Sequence, residues 1–335
     1  MNDINDTRTA EKRMKKLHLT DNPVFNFGRE NVGILIGLLL LCTILTIFSP
    51  VFLTKNNILN VLRQVATNLY IACAMTMVII LGGIDLSVGS TIALSGVVTG
   101  GMIAFDGYSL VVAVIAGLVV GVLVGAFNGL LISKTTIPPF IVTLSTMNIA
   151  RGASYIYTGG QPIRVMSDSF NFIGSGYIGE IPMPIIYLVV IVTASVLIMS
   201  KSKLGRHIYA VGGNPTAAKF SGIKNSRVLF FAYLFSGLMS AIAGIVLASR
   251  MFSGQPTAGQ GAEMDAIAAV VLGGTSMSGG VGKIGGTVIG ALIIGVLSNG
   301  LNLLRINSFW QYVVKGVVIL IAVYVDFLKK GKKAN

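Results

Sequence analysis

One short segment of this chain combines glycines with an acid and a hydroxyl in the middle of apolar sequence: Gly82-Gly83-Ile84-Asp85-Leu86-Ser87-Val88-Gly89-Ser90. Residues 64–84 before the acid and residues 86–105 after it carry no charge. Backbone in lipid must satisfy its own hydrogen bonds, so non-helical chain at that depth is tolerated only inside protein or beside water. An ionisable side chain there is a functional-site hypothesis by default. The segment therefore predicts a helix break in a membrane protein that moves a solute.

Asp85 and Ser87 allow two compatible interpretations. Either side chain can cap the helix that follows the Gly82-Gly83 break, because a cap oxygen accepts hydrogen bonds from amides that lipid cannot satisfy. The alternative is direct contact with a polar solute. These four residues are therefore predicted to form a helix break or part of a translocation pathway.

Five amides fall inside apolar stretches and are predicted to be buried: Asn68, Asn128, Asn148, Asn299 and Asn302. Asn299 and Asn302 are three residues apart and share one helix face. Taken singly, each amide suits a hydrogen bond between helices. Taken together, neutral polar groups without a charged relay suit an uncharged hydroxylated solute better than an ion. Asn68, Asn299 and Asn302 therefore join the predicted pathway residues.

Residues 201–227 form a second informative region, a basic loop that contains a complete short helix. Asn214 suits the N-cap, Pro215 the first helical position and Gly222 the stop after the last turn. With the small side chains of Ala217 and Ala218 at its centre, this helix resembles a docking element. The alternative is a helix that lies on the membrane surface, anchored by Lys and Arg at the headgroups.

The sequence contains no constellation typical of an enzyme or a metal site. The two histidines, His18 and His207, have no metal-ligand spacing. A phosphate loop is also excluded, because Ile284 stands where Ser or Thr is needed after Gly282-Lys283, and Met277 stands where the first Gly should be. We therefore expect no cofactor on this chain and no ATP hydrolysis by it.

Composition places the chain among membrane proteins. Its 335 residues are 53% hydrophobic and 11% charged, with a mean hydropathy of +0.81. Since about 20 apolar residues cross a bilayer, we predict an all-α polytopic fold with about ten spans, interrupted near 82–87 and 273–284. The spans are 32–49, 58–81, 87–105, 110–133, 138–157, 184–200, 228–248, 264–276, 285–304 and 309–327. The eighth span is short and glycine-rich, and the fifth and tenth carry Arg151 and Lys315.

Charge distribution predicts the orientation of these spans. The net charge of +13 is gathered at the termini and in the 201–227 loop rather than along a groove, which argues against nucleic acid. Of the 25 Lys and Arg residues, 18 fall on the predicted inside and 4 outside. The asymmetry predicts cytoplasmic termini. The predicted organisation is a basic N-tail (1–31), one permease domain (32–327) with a cytoplasmic loop at 201–227, and a basic C-tail (328–335).

Two repeated features concern packing and symmetry. Span four carries glycines at four-residue spacing, which predicts a flat ridge against a neighbouring helix, with a pore lining as the alternative: Gly117, Gly121, Gly125 and Gly129. Separately, Leu81–Gly89 resembles Leu272–Gly280, with both aligned from their Leu-Gly-Gly. Transporters often carry repeats with interrupted helices in matching halves, although Gly-rich membrane segments also resemble one another by chance.

Several motifs, in order, resemble the ribose-type permeases of bacterial ABC sugar importers. Gly83–Gly89 resembles that family's hallmark segment, and Ala217-Ala218 with Gly222-Ile223 resembles its ATPase-docking loop. His207–Asn214 and Glu263–Ser276 are also similar to the family. The resemblance extends from about Asn31 to Lys329.

This resemblance implies a function and a set of partners. It implies an all-helical permease of the bacterial inner membrane, paired with a second permease copy as a homodimer. A cytoplasmic ATPase, which binds ATP and Mg²⁺, would drive it, and an extracytoplasmic sugar-binding protein would feed it a monosaccharide, with ribose the best single expectation. The alternative hypothesis is a stand-alone secondary transporter or facilitator of a small polar solute.

Overall fold

The computed structural model describes residues 32–334, so the predicted N-tail, 1–31, lies outside the described residues. The thirteen helices of the described part are α1 (Val32–Phe48), α2 (Lys55–Ile80), α3 (Val88–Ala104), α4 (Leu110–Lys134), α5 (Pro139–Thr158), α6 (Asp168–Ser175), α7 (Met183–Lys201), α8 (Lys203–Gly213), α9 (Pro215–Phe220), α10 (Asn225–Arg250), α11 (Ala262–Leu272), α12 (Ile284–Leu303) and α13 (Ser308–Ala334). Four two-residue strands are β1 (Ile163–Arg164), β2 (Tyr177–Ile178), β3 (Ile181–Pro182) and β4 (Ser253–Gly254). They pair antiparallel as β1 with β4 and β2 with β3.

The predicted all-α polytopic fold is confirmed. Each of the ten predicted spans coincides with a helix, and both predicted interruptions lie between helices. Five helices are long and apolar enough to cross a membrane by length and composition: α2, α4, α7, α10 and α12. Shorter apolar helices are α1, α3 and the Phe309–Ile321 part of α13. The last helix continues to Ala334 and so includes most of the predicted C-tail.

In α5 and α13, the charge inside the predicted span has a partner. Arg151 of α5 donates hydrogen bonds from Nη1 to the carbonyl oxygens of Pro256 at 2.6 Å and Ala258 at 2.9 Å. Lys315 of α13 forms an ion pair with Asp265 of α11, with 2.8 Å between Nζ and Oδ2. Intramembrane charges of this kind usually face the bundle and pair with acids or backbone carbonyls.

Helix α2 forms the centre of the bundle. In α2, 83% of its apolar 18-residue stretch is buried, whereas in α4 and α7 the buried share of the corresponding stretch is 22%. Helix α2 packs against α7, α10, α11 and α12, and α3 packs against α4, α5 and α10. A helix that is apolar all round is expected at such a position, and α2 presents buried side chains continuously from Leu69 to Ile80.

The glycine ridge on α4 packs against α10, as the packing interpretation predicts. A Cβ on Gly121 would overlap Ala241 and the carbonyl oxygen of Gly237, and one on Gly125 would overlap the carbonyl oxygen of Tyr233. The two backbones meet directly, because a Cβ on Gly237 would also lie 2.8 Å from Gly125 N. Small residues allow this approach, which is a main source of helix association in membranes.

Two regions differ from the expectations. The 201–227 loop contains α8 as well as the predicted short helix, because Gly205, Ile208 and Val211 form an apolar face that packs against α7. The eighth span is a half-length helix, α11, preceded by a non-helical segment, 251–261, that is partly buried and packs against α3 at Gly254 and Gly259. A Cβ on Gly254 would lie 2.9 Å from Val97 Cα, and Gly259 lies against Gly89.

Candidate functional site

Asp85 lies in the break between α2 and α3 and is 1% exposed. Its Oδ1 accepts hydrogen bonds from Ser87 N at 3.0 Å and Ser87 Oγ at 2.6 Å. Its Oδ2 accepts one from Ser236 Oγ of α10 at 2.7 Å. Acceptance of the N–H two residues ahead forms an Asx-turn just before α3, whose N-cap residue, Ser87, makes no side-chain cap hydrogen bond. The carboxylate therefore both ends the break and attaches it to α10.

A chain of polar side chains continues from Ser87 to the neighbouring helices. Asn128 Nδ2 of α4 donates to Ser87 Oγ at 2.9 Å, and Thr146 Oγ1 of α5 donates to Asn128 Oδ1 at 2.7 Å. All three side chains are buried. Four elements thus meet through one hydrogen-bonded network, which stabilises a unique arrangement when every member is satisfied.

The second break, between α11 and α12, repeats the backbone conformation of the first, but in a different register from the predicted alignment. Gly82 has φ +79° and Gly274 has φ +83°. In each break that glycine donates to the carbonyl three residues back, and the next residue donates to the carbonyl five back. This is the Schellman stop. The predicted pairing of Gly82 with Gly273 is therefore wrong by one residue, because the left-handed position, not the Gly-Gly letters, defines the equivalence.

Both breaks contact the end of α8. Gly280 N donates to Ile80 O at 2.8 Å, and Tyr209 Oη donates to Gly282 O at 2.7 Å. A Cβ on Gly212 would overlap the Ile80 carbonyl oxygen and lie 2.9 Å from Gly280 N. We call residues 80–82, 209–213 and 279–282 the break junction. It joins both interruptions to the end of the bundle that carries α8 and α9, which we call the α9 end.

Helix α9 has the predicted caps. Asn214 Oδ1 accepts from Ala217 N at 2.9 Å, and Pro215 occupies the first helical position. Gly222 has φ +82° and donates to Lys219 O at 3.0 Å. Ala218 is buried against the protein, whereas Ala217 is exposed and Phe220 is 88% exposed. The helix is a rigid unit that presents an apolar side chain outward.

A polar cavity of about 230 Å³ lies farther from the α9 end, between α2, α3, α10 and the start of α11. Its lining residues are Gln64, Thr67, Asn68, Ile92, Ala243, Leu247, Arg250, Gly259, Gln260, Ala262 and Asp265. Along α10, Ala243 and Arg250 follow Ser236 by 7 and 14 residues. At 1.5 Å per residue the cavity is therefore about 10–20 Å beyond the contact with Asp85.

A second cavity of about 450 Å³ lies between α11 and α13 and shares Gln260 and Asp265 with the first. Lys315 lines this second cavity and holds Asp265 in the ion pair described above. The side chains of Lys315 and Asp265 are 24% and 15% exposed. Asp265 therefore lies in the wall between the two cavities, and its charge is compensated by Lys315.

The structure separates the predicted pathway residues into three places. Asn68 lines the polar cavity, whereas Gly82, Gly83, Asp85 and Ser87 belong to the break. Asn299 forms reciprocal hydrogen bonds with Asn57 at 3.0 and 2.9 Å, and Asn302 accepts from Gln311 at 2.8 Å. Their role in a pathway stays a prediction.

The burial predicted for two amides is wrong. Asn148 and Asn302 are exposed. Asn148 bonds back to Leu144 O of its own helix, and the bond of Asn302 to Gln311 of α13 leaves its side chain at the surface.

Sequence reasoning missed most of the cavity. It gave no role to Arg250, Gln64, Thr67 or Gln260. The available signal was Asp265, an acid inside a predicted span, which by itself marks a candidate functional position. Among the described residues, no group of three or more His, Cys, Asp and Glu side chains could hold a metal ion.

Comparison with known proteins relates this architecture to a transport family. Residues 57–323 match the family described as branched-chain amino acid transport system / permease component. The ribose import permease protein of Bacillus subtilis is 49% identical over 327 residues, covering 97% of this chain and 99% of that protein. The ribose import permease protein of Escherichia coli K12 is 45% identical, covering 88% and 93%. The L-arabinose transport system permease protein of the same strain is 41% identical, covering 92% and 94%. No solved structure matches the chain.

Proposed function

The chain belongs to the branched-chain amino acid transport system / permease component family, and from that premise we propose that it is the ribose-translocating permease of an ATP-driven importer. One observation carries the choice of solute: a ribose import permease protein is 49% identical over nearly the full length of both chains. The chain is a multi-pass membrane protein of the inner membrane, and it is not an enzyme.

The proposed assembly contains three kinds of component: two copies of the permease, an ATPase and a sugar-binding protein. A cytoplasmic ATPase would bind ATP and Mg²⁺ and supply the energy, and an extracytoplasmic sugar-binding protein would deliver the solute. A second permease copy would complete the membrane pathway. The support for a separate ATPase is the departure of Met277 and Ile284 from the phosphate-loop pattern.

The structure suggests how the ATPase acts on the pathway. We propose that α9 docks on the ATPase through its exposed face, with Phe220 as the apolar anchor. Because α9 follows α8 directly, a displacement of α9 would reach Gly212 and Tyr209, and through them both helix breaks. The two breaks would then move together, since Gly280 N is bonded to Ile80 O.

The orientation proposed here puts the α9 end in the cytoplasm, in line with the excess of Lys and Arg there. It is tested by single cysteines in a background that lacks Cys42 and Cys73. Lys203→Cys should resist an impermeant thiol reagent in intact cells, whereas Asp168→Cys, in the connection before α7, should label. Both side chains are exposed. The reverse labelling pattern would overturn the orientation.

The function itself is tested in proteoliposomes that contain the permease, its ATPase and its binding protein. We expect uptake of radiolabelled ribose that requires ATP and all three components. Uptake by the permease alone, driven by a gradient, would favour the secondary transporter instead. ATP-dependent uptake of leucine without ribose uptake would reassign the solute.

Docking of α9 is tested by Ala217→Glu and Gly222→Val. The first adds an unpaired charge at the proposed contact, and the second places a β-branched residue at φ +82°. Both should insert normally but lose ATPase co-purification and ribose uptake. Gly222→Asn, which tolerates the left-handed conformation, is the matched control. Normal ATPase binding and uptake in both variants would show that α9 is not the docking site.

A further inference from the structure

We propose that the polar cavity between α2, α10 and the start of α11 is where the permease binds the monosaccharide during translocation, an assignment that rests on the proposed function. In this site the amides of Asn68, Gln64 and Gln260 form hydrogen bonds with the sugar hydroxyls, and Asp265 is a further acceptor. Lys315 positions Asp265 from the neighbouring cavity. None of these groups belongs to the break junction.

The lining matches the chemistry of a polyol. An amide offers two donors and an acceptor, and a hydroxyl offers one donor and two acceptor lone pairs, so each can complement a hydroxyl group of the solute in either sense. Ile92, Ala243 and Leu247 form an aliphatic wall on the α3 and α10 side. A pentose has the same division, with hydroxyls at its rim and C–H bonds on its faces. Binding sites typically combine an apolar lining with a few placed polar groups.

The size and position of the cavity agree with a solute-binding site. Its volume of about 230 Å³ is far above the roughly 10–15 Å³ that one water requires on the same measure. Asn68 lies 13 residues from the start and 12 from the end of α2, which places it near the middle of that span. Transporters commonly bind their solute near the bilayer midplane, beside discontinuous helices, and here the discontinuous element is the 251–261 segment with α11.

The charges favour a neutral solute over an amino acid. A zwitterion would need both an uncompensated carboxylate and an uncompensated cation. Asp265 Oδ2 is already 2.8 Å from Lys315 Nζ, so its charge is compensated, while the second oxygen of a carboxylate keeps acceptor capacity for a hydroxyl. Arg250 also lines the cavity and forms no ion pair among the described residues, so a cation is available there. The cavity therefore disfavours an amino acid because it offers no uncompensated carboxylate for the ammonium group.

The first experiment compares Asn68→Ala with Asn148→Ala in proteoliposomes with the complete importer. Both changes remove an amide from a membrane helix, but Asn148 is exposed on α5 and lines neither cavity. Uptake of ribose is measured against a set of analogues that each lack one hydroxyl. The same binding protein delivers the sugar to every variant, so a change in the ratio between ribose and an analogue reports on the permease.

We expect Asn68→Ala to reduce discrimination against at least one deoxy analogue by about 2- to 10-fold, the range expected for one hydrogen bond. Lys315→Met should also reduce this discrimination, whereas Asn148→Ala should leave every ratio of ribose uptake to analogue uptake unchanged. Identical ratios in Asn68→Ala, Lys315→Met and Asn148→Ala would overturn the proposal. A wild-type importer that transports no monosaccharide would instead reject the proposed function, so the two failures are distinguishable.

A second measurement does not depend on how well the Asn68 variant folds. Thr67→Cys, in a background without Cys42 and Cys73, places a thiol in the cavity wall. We expect ribose to slow its reaction with a small, soluble thiol reagent in the complete importer, and leucine to leave the rate unchanged. Protection by leucine and not by ribose would assign the cavity to an amino acid, and no protection by either would overturn the site.

Discussion

The break junction and the polar cavity are two polar regions of the same bundle, but they are built from different parts of the chain. At the break junction the contacts are made largely by backbone: Gly280 N bonds Ile80 O, and Gly212 lies directly on that carbonyl. At the cavity the contacts are made by side chains, and several of these are only partly buried.

This difference corresponds to two mechanical tasks. A junction of backbone on backbone has no rotamers to change, so a displacement of one segment is passed to the next. A cavity lined by amides and a compensated carboxylate can exchange its hydrogen-bond partners with a solute at modest cost, because each group has alternatives. The comparison predicts that added volume is harmful at the junction, whereas lost polar atoms are harmful at the cavity.

The largest effect is expected from Gly212→Ala. The new Cβ would overlap the Ile80 carbonyl oxygen, and overpacking of a filled interior typically costs about 1–3 kcal/mol or more. We expect a strong loss of monodisperse permease on gel filtration and of ribose uptake. The matched control is Gly213→Ala, the next residue of α8, where nothing lies within 4 Å of the new Cβ. Equal behaviour of the two variants would contradict the close approach at Gly212.

A comparably large effect is expected from Asp85→Leu, because it leaves Ser87 N, Ser87 Oγ and Ser236 Oγ without their acceptor. Each buried group that loses its partner costs roughly 1–3 kcal/mol. We expect a lower thermal unfolding temperature in detergent and no ribose uptake. Asp85→Asn keeps one acceptor oxygen and should retain part of the thermal stability and part of the ribose uptake. Full transport by Asp85→Leu would end the cap and pathway hypotheses for this residue.

An intermediate effect is expected from Tyr209→Phe, which removes the hydrogen bond to Gly282 O and leaves the ring in place. If the junction transmits movement, uptake per ATP hydrolysed should fall severalfold while the protein stays folded. Tyr70→Phe is the matched control, since it removes a hydroxyl that donates to Pro184 O at 2.5 Å, away from the junction. Tyr70→Phe should lower the free energy of unfolding by about 1 kcal/mol and leave the uptake per ATP hydrolysed unchanged. A similar ratio in both variants would argue against transmission through Tyr209.

The smallest effect is expected from the exposed ion pair of Lys55 with Glu180, 2.6 Å apart, which belongs to neither region. The hydrogen bond and charge of Lys55 hold the pKa of Glu180 below its usual value. Any stabilisation is therefore present at neutral pH and is lost as the pH falls through the lowered pKa. Glu180→Gln should shift the unfolding temperature at pH 7 by less than about 2 °C. A larger shift would mean that the turn between β2 and β3, which carries Glu180, is more tightly packed against α2 than the exposure of the ion pair indicates.

Local sequence patterns were sufficient to predict features whose causes lie within one short segment. Asn214, Pro215 and Gly222 predicted the bounds of α9, because caps and stops act on amides within a few residues. The spacing of Gly117, Gly121, Gly125 and Gly129 predicted a packing ridge for the same reason. Prediction failed where the partner was distant in sequence. Asn148 and Asn302 were expected to be buried, but whether a polar residue in a span faces protein depends on which helices surround it.

The amino-acid sequence by itself determined which apolar segments are helical, where the two interruptions lie and the capped helix α9, since hydropathy, glycine conformation and capping are local properties of the chain. Only the tertiary structure decided that both interruptions meet at Gly212, and that Gly274, not Gly273, is the equivalent of Gly82. It also decided that Gln64, Asn68, Arg250 and Asp265 surround one cavity. Those groups come from three separate helices, and no local pattern specifies which faces of three helices will meet when the apolar surfaces pack.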